Sequence, residues 1–499
     1  MAFKDDDSFL RYLSMGAHGA AAVSDDLSQN HGHEVVELER YAMSNKLWST
    51  KLKRLRLPDL MCLRCGTRIE ARAKSSLEIK LSHSDTPGRE WDVGMRPDDL
   101  YAFVHCVPND NDPFCSSKPQ YFSAAELRAA RECAKLGARK AASQGSEIDL
   151  KWPARVPKQA GEVLAVADHE VVTMLANGRR QTYRIPPTLP AYIYVQPGDR
   201  FDAEGTFVLG VVRAPASMDC KGIWDFAAHF DAESALDRYA AVKAAASLGG
   251  RPEIRSLEVI AGNENEDPRV RLEAIGSLAS LDPDAWTQSL EDVGAGNWNR
   301  ADLAMEAVFI LSELGTNRAI DSLSAIAGNG SLDEELRAAS VWGLGCCGAD
   351  RSDLVVRFIS DASDLVAVHA IAALDDLPQA LVPSLQNMLS GDDRAAAAAT
   401  EVLVRHSAVG ALLDSAGAAH PGRLWARCGL GMLPPELILP TLEDDVDHLA
   451  DVLAPMWMGS QRSWLRGDQE RQLDLLTRQQ VCRPRNPTRF HASVADDCA

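Results

Sequence analysis

The chain has 499 residues, and its 52 Lys and Arg against 71 Asp and Glu give a formal net charge of −19. That length is too great for one hydrophobic core, so several domains are expected. Eleven cysteines without regular spacing argue against a disulfide framework and favour a reducing, cytoplasmic location. The acidic first residues argue against a secretory leader, and no apolar run is long enough to cross a membrane.

The negative charge is unevenly distributed. Residues 1–158 contain 24 Lys and Arg against 22 Asp and Glu, a net of +2, which leaves −21 for the rest of the chain. Within the first part, a basic cluster stands just before a candidate acidic site, where a phosphate backbone would need counter-charge. A solvated basic helix end explains the same cluster equally well. Its members are Lys46, Lys51, Lys53, Arg54 and Arg56.

Helices and strands alternate in the predicted elements of the first third. Residues 33–48 have apolar side chains at helical spacing and predict a helix, on which Glu37 is a candidate acid. A strand–turn–strand hairpin follows at residues 55–75, with a Cys-x-x-Cys knuckle at its tip. Further strands are predicted at 77–81 (prolonging the hairpin), 100–107 and 147–152, and a capping box predicts a helix over 123–143.

The hairpin carries the residues with the clearest chemistry. Side chains two apart share a strand face, so Glu70, Arg72 and Lys74 are expected to project to one side. If the two strands pair antiparallel, Asp59 lies near Glu70. Two carboxylates suit Mg²⁺ or Mn²⁺, and a nearby cation can neutralise charge that develops on a phosphate. The alternative is an ordinary hairpin with solvated charges.

In these residues the chain resembles the PD-(D/E)xK nucleases, which have the restriction-endonuclease-like fold. The Pro-Asp of that family falls on Pro58 and Asp59, and its Glu falls on Glu70. The Lys position of the family falls on Arg72, which cannot release a proton as lysine can, whereas Lys74 lies one step along the same strand face. The Cys-x-x-Cys between the two acids is most similar to that of the zinc-containing, methyl-directed restriction enzymes.

The resemblance covers about residues 30–157 and implies an α/β nuclease domain. It implies that Asp59 and Glu70 hold Mg²⁺, that Glu37 assists, and that Lys74 or Arg72 neutralises charge at the scissile phosphate. The products it implies carry a 3′-hydroxyl and a 5′-phosphate.

Four cysteines are candidate ligands of a structural zinc ion. Cys62 and Cys65 lie at the hairpin tip, and Cys106 returns to that tip if the third strand runs antiparallel to the second. Cys115 follows in the next loop, and four thiolates at one end of a sheet would make a closed tetrahedral site. A reduced, packed cysteine pair is the alternative. The competing ligands are His31, His33 and His105.

The sequence after residue 158 indicates domain architecture and little chemistry. Short alternating strands with an Asn-Gly turn predict a small β-barrel over 158–216, whose role stays open. From residue 235 a motif repeats at spacings of 33, 33 and 30 residues, with a small residue four positions before each leucine. This period predicts an α-solenoid and resembles HEAT repeats, over 235–480 with a C-terminal helical cap. Residues 481–499 are expected to be disordered. The repeated leucines are Leu278, Leu311, Leu344 and Leu374.

These patterns predict a cytoplasmic, metal-dependent endonuclease acting on DNA, with RNA left open as substrate. The acidic solenoid is expected to bind a protein partner, and bacterial phage defence or DNA repair is the expected context. Assembly into a homo-oligomer stays open, because restriction-type nucleases often work as dimers. Two alternatives remain: an inactive nuclease fold that binds nucleic acid, which Arg72 favours, and a scaffold whose solenoid carries the function.

Overall fold

The computed structural model describes residues 6–38, 48–50, 55, 57–107, 115–142, 145–222, 224–249, 253–348, 351–374, 376–417, 419–434 and 437–438. The described residues fall into two compact units, an α/β unit that ends at Leu281 and an all-helical unit that begins at Asp282 and also includes residues 48–50. The predicted cap and tail after residue 438 lie outside this description, as does the basic cluster of residues 46–56.

A six-stranded mixed sheet forms the centre of the first unit. Its order is β1-β2-β3-β5-β6, and β7 also pairs with β5. The first three strands form an antiparallel meander, and β5 runs parallel to β3. A parallel neighbour requires a crossover, which residues 75–99 provide. The strands of this unit up to residue 151 are β1 (Val35–Glu37), β2 (Leu60–Cys62), β3 (Arg68–Lys74), β4 (Lys80–His83), β5 (Leu100–Val107), β6 (Cys115–Ser116), β7 (Gln120–Ser123), β8 (Lys135–Ala142) and β9 (Gly145–Lys151).

Helix α1 (Asp6–His31) covers one face of the sheet. Val23 and Leu27 of the helix pack against apolar side chains of β2, β3 and β5, including Ile69. Burial of each large apolar side chain contributes about 1.5–3 kcal/mol to folding. The approach is close at Gly19, where an added Cβ would lie 2.6 Å from the Cβ of Ala73. The sequence therefore needs a glycine at this point of the helix.

The predicted helix over 33–48 is wrong at its beginning. Val35 and Val36 are β-branched and pair in strand β1 with Cys62 and Met61 of β2. Residues 39–47 lie outside the description. Helix α1 instead precedes this strand, over residues for which no element is predicted from the sequence.

The opposite face of β5 packs on a second small sheet and a short helix. Tyr101 and Phe103 are buried there with Leu127 of helix α2 (Ala124–Ala129). The Ser123 hydroxyl accepts a hydrogen bond from the Glu126 amide at 3.2 Å, as the capping box predicts. The helix ends at residue 129 and not at 143, because residues 135–142 pair with β9. Residues 80–83 also pair with β9 and do not prolong the hairpin.

The region predicted as a β-barrel contains two small sheets. Their orders are β13-β12-β11-β15 and β10-β16-β14, and no closed barrel is present among the described residues. The predicted Asn-Gly turn lies between β12 and β13, where Gly178 has a φ of +76°. The strands are β10 (Ala154–Arg155), β11 (Gly161–Ala167), β12 (Glu170–Leu175), β13 (Arg180–Arg184), β14 (Tyr192–Ile193), β15 (Arg200–Phe201) and β16 (Leu209–Gly210).

From residue 235 to residue 432 the described chain is helical. The four repeated leucines and the small residues four positions earlier are all buried, as their register predicts. None of the helices in the described part is long and apolar enough to cross a bilayer. In the first unit the helices are α3 (Ala235–Ser247), α4 (Ile254–Gly262) and α5 (Pro268–Leu281). In the second they are α6 (Pro283–Gly294), α7 (Ala301–Leu314), α8 (Asn317–Gly328), α9 (Glu334–Cys346), α10 (Ser352–Val355), α11 (Asp364–Ala373), α12 (Val382–Met388), α13 (Asp393–Arg405), α14 (Val409–Ala416) and α15 (Arg423–Met432).

Residues 48–50 are fixed to the helices of the second unit. The Trp48 ring is buried and stacks on His369 of α11, with ring centroids 4.6 Å apart. The Glu335 carboxylate of α9 accepts hydrogen bonds from the backbone amides and the hydroxyls of Ser49 and Thr50. The donor–acceptor distance is 2.9 Å from Ser49 Oγ and 2.8 Å from Thr50 N. One buried carboxylate thus satisfies four donors of this segment.

Candidate functional site

A group of one histidine and three cysteines lies at the tip of the β2–β3 hairpin. His33, Cys62, Cys65 and Cys220 each offer one ligand atom, and these atoms lie within 4.8 Å of one another. Cys62 Sγ is 3.9 Å from Cys220 Sγ, and Cys65 Sγ is 3.6 Å from His33 Nδ1. Thiolates and imidazole are the ligands of structural metal sites. This group can hold a metal ion.

The orientation of His33 suits metal binding. His33 Nε2 lies 2.8 Å from the carbonyl oxygen of Met218, which can only accept a hydrogen bond. The Nε2 atom therefore carries a proton, and the Nδ1 atom faces the cysteines. A hydrogen bond of this kind fixes the ring orientation of histidine ligands in metalloproteins.

Three separate chain segments are joined at this point. The Cys220 amide donates to the His31 carbonyl at 2.9 Å, and the Trp224 amide donates to the Arg64 carbonyl at 2.7 Å. The turn of the knuckle requires Gly66, which has a φ of +70° and whose added Cβ would lie 2.7 Å from the Trp224 ring. Backbone contacts therefore hold the four ligands in place.

One negative charge is concentrated on Cys65. The hydrogen bond from the Cys62 thiol, with smaller contributions from His33 and Thr67, lowers the pKa of Cys65 against the opposing effect of burial. The same hydrogen bond, together with burial, raises the pKa of Cys62. The hydrogen bond with Cys65 also raises the pKa of His33. The group therefore presents a thiolate to a cation.

Two of the four predicted zinc ligands are part of this group, and Cys106 is not. Cys106 lies at the end of β5 and is buried in the apolar core beneath α1. Because β5 runs parallel to β3, its end lies beside Lys74 and points away from the hairpin tip, so the predicted antiparallel pairing is wrong. Cys115 belongs to β6, and its side chain lies outside the described part of the chain.

Of the three competing histidines, only His33 joins the group. His31 lies near the carboxylates of Asp26 and Asp219, at 3.6 and 3.7 Å, and His105 Nε2 is 3.2 Å from the Ser75 carbonyl. Cys220 was not predicted as a ligand. It follows Cys65 by more than 150 residues, so no local spacing indicates it, and only the path of the folded chain brings it to the knuckle.

The two acids of the hairpin lie at its two sides, Asp59 immediately before β2 and Glu70 on β3. Leu60 pairs with Ile69 in the antiparallel β2–β3 ladder, which places Asp59 next to Glu70. Asp59 Oδ2 accepts a hydrogen bond from the Ala71 amide at 2.7 Å, so this carboxylate lies beside β3. Apart from the His/Cys group, no cluster of three or more His, Cys, Asp or Glu ligands is found in the described residues. Among the described residues, therefore, no third ligand of these types joins the two acids in a cluster.

The two candidate cations have different environments. Arg72 is exposed, and its guanidinium forms an ion pair with a Glu70 carboxylate oxygen. Lys74 is partly buried, and this burial, together with the nearby Arg72 and Lys80, lowers its pKa to about 8. Lys74 can therefore change charge close to neutral pH.

Glu37 does not lie with the other acids. It pairs with Leu60, whose side chain is buried on the α1 face of the sheet. Glu70 follows Ile69, which faces α1, and so projects from the other face. The helix predicted to carry Glu37 is replaced by strand β1, and this change places Glu37 across the sheet from Glu70.

A buried arginine on the face of Glu70 was not identified from the sequence. Arg68 is almost fully buried, with Nε 3.4 Å from Asp99 and an Nη2 hydrogen bond of 2.6 Å to Asp237 of α3. The Asp99 carboxylate also accepts hydrogen bonds from the backbone amides of Arg68 and Arg96, at 3.1 and 2.7 Å. Burial lowers the pKa of Arg68, and the two carboxylates oppose this change. These ion pairs connect β3 to α3.

No protein-family model matches the chain, and no curated protein matches it. Among solved structures, it is similar at 14% identity to the Escherichia coli protein YibA, over 46% of this chain and 90% of that one, with a TM-score of 0.26. It is similar at 17% identity to the complex of CpcE and CpcF of phycocyanin lyase from Nostoc sp. PCC7120, over 53% of this chain and 97% of that one, with a TM-score of 0.24. TM-scores this low leave the function to be argued from the site.

Proposed function

We propose that the chain is a metal-dependent nuclease that hydrolyses phosphodiester bonds in DNA, with a structural zinc ion beside its catalytic hairpin. The observation that carries the proposal is the antiparallel β2–β3 pairing, which places Asp59 next to Glu70. Arg72 and Lys74 continue along the strand on the face of Glu70. Two acids and a cation in this order also carry the resemblance to PD-(D/E)xK nucleases.

The acidic pair fits Mg²⁺ or Mn²⁺ by its chemistry. Mg²⁺ commonly takes one or two protein carboxylates and fills its other positions with water and substrate phosphate. When bound, it would supply positive charge to the phosphate and lower the pKa of water. Asp59 and Glu70 would hold the ion, and Arg72 would move from Glu70 towards the substrate.

Lys74 and Arg72 would divide the work of charge neutralisation. Lys74 is partly buried at the end of β3, where a protonated amine can neutralise charge that develops on the scissile phosphate. Arg72 is exposed, stays protonated, and can hold a phosphate oxygen with paired N–H groups. Glu37 has no part in this arrangement, because it lies on the α1 face.

The His/Cys group fits zinc. In a tetrahedral site with Zn–S bonds of about 2.3 Å and a Zn–N bond of about 2.0 Å, ligand atoms lie about 3.5–3.8 Å apart. The separations of 3.9 Å between Cys62 and Cys220 and 3.6 Å between Cys65 and His33 are close to this geometry. Four protein ligands would leave no open position, so zinc held by this group would be structural and would fix the hairpin that carries both acids.

Plasmid nicking and linearisation with Mg²⁺ or Mn²⁺, and with chelator, test the proposal. Asp59→Asn and Glu70→Gln are expected to abolish cleavage, whereas Glu162→Gln, an exposed acid on β11, should cleave as wild type does. Equal rates in the Glu70 and Glu162 variants would show that the acids are not catalytic. Methylated, unmethylated and single-stranded substrates should be compared, because the site does not specify the substrate strand.

The second candidate is an inactive nuclease fold that binds nucleic acid. The ion pair between Arg72 and Glu70 favours it, because a guanidinium occupies a carboxylate oxygen that a catalytic cation would need. Arg72→Lys distinguishes the two functions: gain of cleavage in this variant alone would mean that the natural chain binds without cutting. The helical repeats, which resemble HEAT repeats, are proposed to bind a protein partner, in a cytoplasmic defence or repair setting.

A further inference from the structure

A polar groove lies in the first unit, away from the hairpin tip. It has a volume of about 540 Å³. Three segments line it: residues 77–79 before β4, residues 151–158 from the end of β9 onwards, and residues 181–184 of β13. Strand β13 is the edge of its sheet, so the groove runs beside a strand with one unpaired side.

The groove is positively charged in a strongly acidic protein. Lys151, Arg155, Lys158 and Arg184 line it together with one acid, Glu78, which leaves a net of +3. The whole chain carries −19. Four cations on one concave surface, against the trend of the chain, favour a polyanionic ligand.

Contacts around the groove orient these cations, and two of the four form exposed ion pairs. Arg155 donates its Nε proton to the Arg184 carbonyl at 2.7 Å, which uses one of its five N–H donors. Arg184 pairs with Glu170 at 2.8 Å, and its side chain is 72% exposed. Lys151 pairs with Glu78 and is half exposed. Exposed ion pairs contribute little to stability, so a phosphate can take the place of these carboxylates.

The lining also indicates which part of a nucleic acid the groove suits. Its two aromatic residues, Trp152 and Tyr183, are buried and present no ring face for a base. Single-stranded nucleic acids are bound mainly by stacking on exposed aromatic rings. Cations with the exposed polar side chains of Gln181 and Thr182 suit phosphate and sugar contacts instead. This favours the backbone of a duplex.

The groove is close to the acidic hairpin along the chain. Leu77, which begins the groove, is seven positions after Glu70, and seven extended residues span at most about 25 Å. At about 3.4 Å per base pair, this distance corresponds to roughly seven base pairs. One duplex of ordinary length can therefore reach both places.

We propose that this groove is a binding site for the phosphate backbone of duplex DNA, held by Lys151, Arg155, Lys158 and Arg184. The choice of DNA rests on the proposed nuclease function, while the backbone contact rests on the charge and shape of the groove. The site would anchor the substrate several base pairs from the scissile bond and would not read its sequence.

Fluorescence anisotropy with a labelled duplex of about 20 base pairs, in chelator so that no cleavage occurs, tests the inference. The groove variant is Arg155→Gln with Lys158→Gln, both exposed lining residues. The matched control is Arg179→Gln with Arg200→Gln, which removes the same charge from the same region outside the groove. Circular dichroism checks that both variants are folded.

We expect the groove variant to bind on the order of 10-fold or more weakly at about 0.1 M salt, and the salt slope to fall by about two, one for each lost phosphate contact. The control should keep the affinity and slope of wild type. Equal affinities in the two double variants would overturn the inference, as would equal displacement of the duplex by polyglutamate or absence of duplex binding by wild type. If the groove binds duplex but the protein does not cleave it in Mg²⁺, the groove proposal stands and the nuclease proposal fails. If the protein cleaves DNA but binds it equally well without the groove cations, the nuclease proposal stands and the groove proposal fails.

Discussion

Replacement of Cys220 by serine gives the sharpest test of the metal site. This residue comes from a segment far from the knuckle, and its Sγ lies 3.9 Å from Cys62 Sγ. Loss of outer-shell partners alone weakens metal binding about 10–100-fold, so loss of a direct ligand should weaken it by more than about 100-fold. Wild-type protein should contain one zinc per chain after dialysis, and Cys220→Ser should contain little.

The stability effect follows from linkage. At a free metal concentration of about 1,000 times the dissociation constant, binding stabilises the folded state by about 4 kcal/mol. For a unit of a few hundred residues, each kcal/mol moves Tm by about 2–4 °C. Chelation of wild type should therefore lower the Tm of the first unit by on the order of 10 °C, with little further effect in Cys220→Ser.

Cys106→Ala is the matched control, because Cys106 is a ligand expected from the sequence that is buried in the apolar core, away from the metal site. It should lose stability but keep its zinc. Metal analysis, calorimetry and the visible spectrum of the Co²⁺-substituted protein measure these quantities. Unchanged zinc in Cys220→Ser, or lost zinc in Cys106→Ala, would refute the ligand set of one histidine and three cysteines.

Three further predictions concern charged side chains. Asp99→Ala should lower the free energy of unfolding of the first unit by about 3–5 kcal/mol in denaturant unfolding, because the buried Arg68 guanidinium loses one of its two carboxylate partners. A decrease below about 1 kcal/mol would contradict this. Burial lowers the pKa of Lys74 to about 8, so its charged form is lost as pH rises through that value. Single-turnover cleavage should then fall above pH 8, and Lys74→Arg should remove this fall; an unchanged profile would exclude Lys74 from charge neutralisation. Burial raises the pKa of Glu335, but hydrogen bonds from residues 49–50 lower it more, so the folded-state pKa lies below the unfolded-state pKa. The ionised carboxylate therefore stabilises the folded state above the unfolded-state pKa, and this stabilisation is lost as pH falls through the folded-state pKa. Glu335→Gln should therefore lower the Tm of the second unit at neutral pH, and the difference from wild type should shrink in acid; a constant difference would argue against this linkage.

Elements specified by local pattern were predicted well. The run of apolar residues in β5 and the buried leucines of the helical repeats follow directly from periodicity. The Ser123 cap was also correct, because its signal lies within four residues. Elements that depend on long-range pairing were not predicted: residues 135–142 fit a helical pattern, yet pairing with β9 makes them a strand.

The same distinction applies to the metal site. Cys62 and Cys65 are a local signal and were identified, whereas Cys220 is brought to them by the three small sheets that intervene in the chain. Cys106 was misassigned because the direction of one strand decides which end of the sheet it occupies. Strand direction depends on the crossover, which residue patterns do not reveal.

The position of Cys220 gives the metal a role beyond closing the knuckle. The segment that contains it lies between the small sheets and helix α3, and Asp237 of that helix pairs with Arg68 on the strand of Glu70. The ion pair on β3 holds this stretch of chain against the hairpin at one point, and a metal ion at the tip would hold it at a second. Since Asp59 and Glu70 each lie two residues beyond the Met61–Arg68 pair of the same hairpin, loss of metal should loosen both acids. Chelation of zinc should then reduce cleavage even when Mg²⁺ is in excess, and Cys220→Ser should reproduce this effect.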